Sequence, residues 1–390
     1  MFKETTSLAD SQAFARARRN PMFPFLMVLT ISSTIGLQAW TTLFNNFAVE
    51  TAHLKGDQIG VIQSVREVPG LLTLLAIFLI RLIPEHRLSV SSILLLGLGV
   101  GATGFFPSYA GLLATTLIMS FGFHYYETTN QSLTLQYFDI KVAPWVFGKL
   151  RSLAAASNIA IGAFIYGATY LLDYRGIYLV VGGFIVLTAL WGFTKDPEDR
   201  DLVPQWKKMI LRKKYWLFYF LTFMAGARRQ IFIAFSVLLL VQKFNFSVRE
   251  ITLLFLLNNA INYFLSPLIG RCIITFGERK VLSLEYFSLI FIFIAYAISN
   301  SKLSIALLYI ADHIFFNFAI AIRSYFQKIG DPRDIAPSMA VGFTINHIAA
   351  VILPALGGLA WVIDYRIPFF FGAGMACISL IAVQAIRVPS

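Results

Sequence analysis

Twelve apolar runs, each long enough to cross about 30 Å of hydrocarbon, occupy most of this chain. They cover 23–48, 58–83, 88–107, 109–137, 143–172, 175–193, 215–242, 248–272, 280–299, 302–324, 337–362 and 366–387. Backbone in lipid must satisfy its own polar groups, so such runs form helices or close into barrels. Barrel strands alternate apolar and polar over about ten residues, and these runs are apolar throughout. The expected fold is an all-α integral membrane protein with twelve transmembrane helices. Connections such as Pro107-Ser108, Asp173-Tyr174 and Ser299-Asn300 are short enough to make neighbouring helices antiparallel hairpins.

Composition excludes the soluble classes. Only 13% of the 390 residues are charged and 57% are apolar, against about 25% charged in a soluble domain. Cys272 and Cys377 both lie in apolar runs, which leaves no disulfide framework and no thiolate metal site. Residues 1–20 are polar and end in Arg16, Arg18 and Arg19. The run that follows is too long for a signal-peptide core and reads as a retained first span.

Basic residues set the orientation. With both ends cytoplasmic, the inner face receives Arg81, Arg87, Lys141, Lys149 and Arg151, then Lys207, Lys208, Arg212, Lys213 and Lys214. It also receives Arg271, Arg279, Lys280, Lys328 and Arg333, while the outer face keeps only Lys55, Arg175, Lys243, Arg249, Lys302 and Arg366. That asymmetry follows the positive-inside rule and places the chain in a plasma membrane, the inner membrane of a bacterium. It accounts for the net charge of +12 without nucleic acid. The Lys207–Lys214 stretch with Trp206 and Trp216 reads as a segment on the anionic inner leaflet.

The chain also repeats itself. Leu172-Asp173-Tyr174-Arg175 recurs as Ile363-Asp364-Tyr365-Arg366, Tyr137-Phe138 as Tyr325-Phe326, and Pro84-Glu85-His86-Arg87 as Gly277-Glu278-Arg279-Lys280. The order is kept and the offset is nearly constant, as in a parallel duplication of six helices. The expected organisation is a cytoplasmic segment at 1–22, a six-helix bundle at 23–193, a basic linker at 194–214 and a second bundle at 215–390.

On these features the chain resembles the major facilitator superfamily over nearly its whole length. The family signature G-x-x-x-D-R/K-x-G-R-R/K is met in the second half by Gly270 and Gly277-Glu278-Arg279-Lys280, with Ile274 at the acidic position. The first-half copy has lost both glycines. The resemblance implies two pseudo-symmetric bundles that alternate access to a central cavity lined by spans one, four, seven and ten. It also implies that Arg279 and Lys280 help set the resting conformation.

Polar stripes at helical spacing agree with that geometry. Span one carries Thr34, Gln38, Thr41, Thr42 and Asn45; span four Ser120, His124, Glu127 and Gln131; span ten Tyr309, His313 and Asn317. Ionisable groups inside a membrane are costly and usually functional. Arg228 and Arg229 lie about 20 Å into span seven at 1.5 Å per residue, and guanidinium grips carboxylate or phosphate bidentately. One is expected to bind an anionic substrate and the other to tie span seven to a neighbour such as Asp312 or Glu127. Gln38, Asn45, Gln131, Tyr309, His313 and Asn317 complete the expected binding set. His124, Glu127 and Asp312 are the candidates for proton coupling.

Other readings stay open. Arg66-Glu67 is an internal ion pair, an outer gate or part of the site. His124, Glu127, Asp312 and His313 could surround a divalent cation, although two arginines would repel it. His347 reads as a packing or gating residue, Glu285 as an interfacial residue that snorkels, and Asn258, Asn259 and Asn262 as hydrogen-bonding links between helices. The many phenylalanines and tyrosines fit an exporter of amphipathic or aromatic compounds. Phosphate-binding glycine loops, H-E-x-x-H and nucleophile elbows are absent, so an intramembrane enzyme is remote. The sequence thus reads as a monomeric, cofactor-free, proton-coupled carrier of a small organic anion, not an enzyme, with protons, substrate and membrane lipids as its partners.

Overall fold

A computed structural model describes residues 8–54, 56–197, 203, 205–206, 208–246 and 248–387. Lys55, Lys207 and part of the 194–214 linker therefore lie outside the described residues. A short helix, Leu8–Arg19, precedes twelve long helical rods, and the described residues contain no strand. The rods are α1 Met22–Thr51, α2 56–79, α3 Glu85–Thr103, α4 Tyr109–Tyr137, α5 Ala143–Ala168 and α6 Tyr174–Phe193. The second half holds α7 216–242, α8 Val248–Phe276, α9 Glu278–Ile298, α10 Lys302–Ile329, α11 Ile335–Ile363 and α12 Ile367–Val383.

Packing repeats with a shift of six helices. α3 packs on α6 as α9 packs on α12, and α1 packs on α5 as α7 packs on α11. Between the halves, α5 meets α8 and α2 meets α11, and each of these pairings is the image of the other. Local chemistry repeats as well. Glu85, at the start of α3, accepts a 2.7 Å hydrogen bond from Gln136 at the end of α4. Its counterpart Glu278, at the start of α9, accepts from Ser324 at 2.6 Å and pairs with Lys328 at 2.7 Å. Gly277 makes the turn before Glu278 with φ +81° and ψ 159°, a conformation open essentially only to glycine.

The helix Leu8–Arg19, the end of α12 and the described part of the linker lie at one end of the bundle, called here the linker face. There the halves are pressed together by small residues. A Cβ on Gly148 of α5 would lie 2.4 Å from the Ser266 carbonyl of α8, and one on Gly270 of α8 the same distance from the Pro144 carbonyl. Glycine is needed at both positions because backbone meets backbone. Gln327 at the end of α10 adds two 2.8 Å hydrogen bonds, to the carbonyls of Leu135 and Phe138 in the first half.

The described part of the linker is fastened to the α10–α11 loop. Trp206 N–H donates to the Arg333 carbonyl at 2.8 Å, and Gln205 Nε2 to that of Pro332 at 2.8 Å. Arg212 donates to Asp334 through Nε at 2.6 Å and Nη2 at 3.0 Å, and the Tyr215 hydroxyl donates to the same carboxylate at 2.6 Å. Burial works to raise Asp334, but these hydrogen bonds outweigh it and hold the carboxyl below the ordinary aspartate value. The described part of the linker is thus tied to protein.

Two rods carry a π-helical segment: α1 at Phe47–Thr51 and α7 at Phe232–Ser236. They are the first helices of the two halves. Such segments recur at functional sites because they re-aim the side chains around them.

Candidate functional site

A cavity of about 530 Å³ lies between the halves, above the packed linker face. α1 contributes Thr34, Gln38 and Thr41, α4 contributes Ser120, His124, Glu127 and Gln131, α7 contributes Arg229 and Gln230, and α10 contributes Asn317 and Arg323. α2 adds Arg66 and Glu67, α5 adds Arg151 and Asn158, and α11 adds Asn346 and His347. Thr41 and Ile233, toward the face opposite the linker, are exposed, so the cavity opens that way.

The lining is strongly basic. Four arginines, Arg66, Arg151, Arg229 and Arg323, face two carboxylates, Glu67 and Glu127. Arg66 donates to Glu67 Oε1 through Nε at 3.2 Å and Nη2 at 2.7 Å, and lies 5.7 Å from the Trp40 ring centroid. Ser120 fixes the same turn of α2 by donating to the Arg66 carbonyl. Glu127 sits in the field of Arg323, Arg151 and Arg229. Arg151 Nε donates to Asn317 Oδ1 at 3.1 Å, which joins the halves. Asn317 donates in turn to Asn262 at 2.7 Å, and Asn262 Nδ2 lies 2.7 Å from His313 Nε2. A second link across the halves runs from Asn158 to Asn259 at 3.0 Å.

The expected site residues are divided by this geometry. Gln38, Gln131, Arg229, Asn317, His124, Glu127, Arg66 and Glu67 line the cavity. Asn45 is exposed further along α1, and Tyr309 is buried against Phe232, with ring centroids 5.1 Å apart. His313 faces Asn262.

Arg228 turns away into its own half. It is 4% exposed, donates to Ser379 of α12, and lies 3.4 Å from Glu285 of α9. Its guanidinium stacks 4.3 Å over the Tyr286 ring. Glu285 is therefore a buried partner, 2% exposed, and not a snorkelling interfacial residue. Asp312 lies with Arg228 and Glu285 in a small second pocket. The quartet His124, Glu127, Asp312 and His313 is consequently dispersed, because consecutive helical residues diverge by about 100°.

Arg279 spends its hydrogen bonds inside its own half, on Gln384 Oε1 at 3.1 and 3.0 Å, and Lys280 is exposed. α9 packs on α12, which keeps this loop away from the opposite bundle. A contact between the halves at this face is made by Gln327. Arg151 and Arg323 were missed as cavity residues, since Arg151 reads from sequence as a topology charge near a helix start. The usable signal was Arg151 and Asn158 at i, i+7, well inside an apolar run.

Among the described residues, Glu67, His124 and His347 bring one potential metal-ligand atom each within 4.8 Å of one another.

The sequence matches the family described as Major Facilitator Superfamily over residues 25–322. No curated protein matches it. Among solved structures it is similar to FucP, the E. coli fucose:proton symporter, in the outward conformation. That match has a TM-score of 0.77 and 12% identity, covering 95% of this chain and 99% of that one. It is similar to the human organic anion transporter MFSD10, with a TM-score of 0.73 and 12% identity over 94% and 99% of the two chains. A bacterial homologue of the iron transporter ferroportin, outward-facing, gives 0.75 and 13% over 93% and 98%. At these identities the likeness is one of fold.

Proposed function

The chain belongs to the major facilitator superfamily, a multi-pass membrane transporter and not an enzyme, and from that premise we propose that it moves a small organic anion by alternating access. The observation that carries this reading is the charge of the cavity, four arginines against two carboxylates. Arg66 is already engaged by Glu67, which leaves Arg151, Arg229 and Arg323 around Glu127. Their forked donors match carboxylate or phosphate. Gln38, Gln131 and Asn317 supply neutral hydrogen bonds around them.

The same reading makes transport proton-coupled. Substrate anion and ionised Glu127 compete for the same guanidiniums, so protonation of Glu127 and anion binding are linked. His124, one turn away on α4, is a second carrier for that proton. Asp312 acts, on this reading, from the buried Arg228–Glu285 cluster. The protein works as a monomer in a bacterial inner membrane with both ends cytoplasmic.

A thermal-shift screen of purified protein against anionic, neutral and cationic metabolites tests the proposal. Stabilisation by anions, lost in Arg229→Ala, is the expected result. Stabilisation only by neutral or cationic compounds overturns it.

A further inference from the structure

We infer that Glu67, His124 and His347 bind a divalent first-row transition-metal ion, which enters the cavity as the metal partner of the anion. The anion half of this statement rests on the function proposed above; the metal half stands on its own geometry. The three side chains come from α2, α4 and α11 and all line the cavity. His347 Nε2 lies 3.9 Å from Glu67 Oε2, and the three ligand atoms lie within 4.8 Å of one another. Ligands at about 2.0–2.1 Å from a tetrahedral ion are about 3.4 Å apart. Side-chain movements on the order of an ångström therefore close the site.

The surroundings orient two of the three ligands, His347 and Glu67, as metal sites require. His347 Nδ1 lies 2.9 Å from the Phe343 carbonyl. A carbonyl only accepts, so Nδ1 carries the proton and Nε2 offers its lone pair toward Glu67. The ring is also held by packing. It stacks on Phe343 at 4.6 Å, and a Cβ at Gly70 would lie 2.2 Å from its Cδ2. Glu67 has Oε1 tied to Arg66, and Oε2 is the oxygen that faces His347. His124 is 5% exposed, its ring lies perpendicular to that of His347 at 4.8 Å, and its Nδ1 has no hydrogen-bond partner. Two imidazoles and one carboxylate suit zinc, iron, cobalt or nickel; magnesium and calcium prefer all-oxygen sites.

Nearby charge decides how the ion arrives. Arg66 offsets the charge of Glu67, and Arg229 of α7 lines the same cavity as His347. A bare dication is disfavoured beside them. An ion whose remaining positions are filled by carboxylate oxygens meets the same arginines favourably, so the species that fits is an anionic metal complex. Glu67 and His124 belong to one half and His347 to the other. Rocking of the halves separates the ligands, which makes the ion cargo and not a structural fixture.

Co²⁺ titration of the purified protein, followed by visible absorption and calorimetry with and without citrate, tests the inference. One equivalent should bind per chain, more tightly with citrate, and His347→Asn or Glu67→Gln should weaken it at least about ten-fold. His347→Cys should retain binding and add a sulfur-to-cobalt charge-transfer band, which separates ligand loss from misfolding. Absence of stoichiometric Co²⁺ in the wild type under both conditions, or equal binding by His347→Asn, overturns the inference. Cobalt bound equally well with and without citrate, by a protein that no anion stabilises, sinks the anion reading and its metal-complex extension but leaves the metal site.

Discussion

Arg228 lies 3.4 Å from Glu285 inside the second bundle, with both side chains nearly inaccessible. The next residue, Arg229, lines the cavity between the bundles. One turn of α7 thus supplies a strut between helices and a charge that lines the cavity, and the two are separable by mutation.

Truncating one member of the buried pair leaves the other uncompensated, at a cost of about 3–5 kcal/mol. Arg228→Met is expected to lower the unfolding temperature sharply, and adding Glu285→Met should recover much of the loss. Thermal unfolding in detergent checks this. A double variant no more stable than the single one contradicts the pairing.

Arg229→Lys keeps the charge but loses the fork. Anion affinity should fall roughly ten- to hundred-fold, about 1.4–2.8 kcal/mol, with little change in unfolding temperature. Unaltered affinity would remove Arg229 from the binding site.

Glu127 lines the cavity together with Arg323, Arg151 and Arg229. Glu127→Gln should abolish uphill, proton-driven accumulation in proteoliposomes while preserving counterflow exchange, which needs no net proton movement. Accumulation with unchanged pH dependence would show that Glu127 carries no coupled proton.

The linker-face seal depends on Gly148, Gly270 and Gln327. Gly148→Val or Gln327→Leu should lengthen electron-spin distances between labels at the linker-face ends of the two bundles. Arg279→Ala combined with Lys280→Ala should leave them unchanged, since Arg279 is held by Gln384 of its own half. The reverse pattern would return the gating role to the Arg279 loop.

Asp334 gives a pH signature outside the membrane. Its folded value lies below the ordinary 3.8, so its stabilising contribution is complete well above that value. The contribution is lost as pH falls through the lower folded value. The difference in unfolding temperature between wild type and Asp334→Asn should stay constant from about pH 8 to 5 and shrink below about pH 4. A difference that grows in acid would refute the Arg212–Asp334–Tyr215 assignment.

The sequence by itself determined the helices and the family. Apolar runs of bilayer length leave few folds, and the stripe Ser120, His124, Glu127, Gln131 marks one helical face because helical period is a local property. The repeat also carried the pseudo-symmetry into the reading, as at Glu85 and Glu278. What only the tertiary structure decided was which ionisable groups meet. Arg228 and Arg229 look alike in the chain, and a rotation of about 100° sends one to Glu285 and the other to the cavity. Arg151 looked like a topology charge until α5 crossed α8 and turned it toward Asn317. Glu67, His124 and His347 are separated by 57 and 223 residues, and no local pattern joins them. Their meeting depends on how α2, α4 and α11 pack, down to the space that Gly70 leaves for the His347 ring.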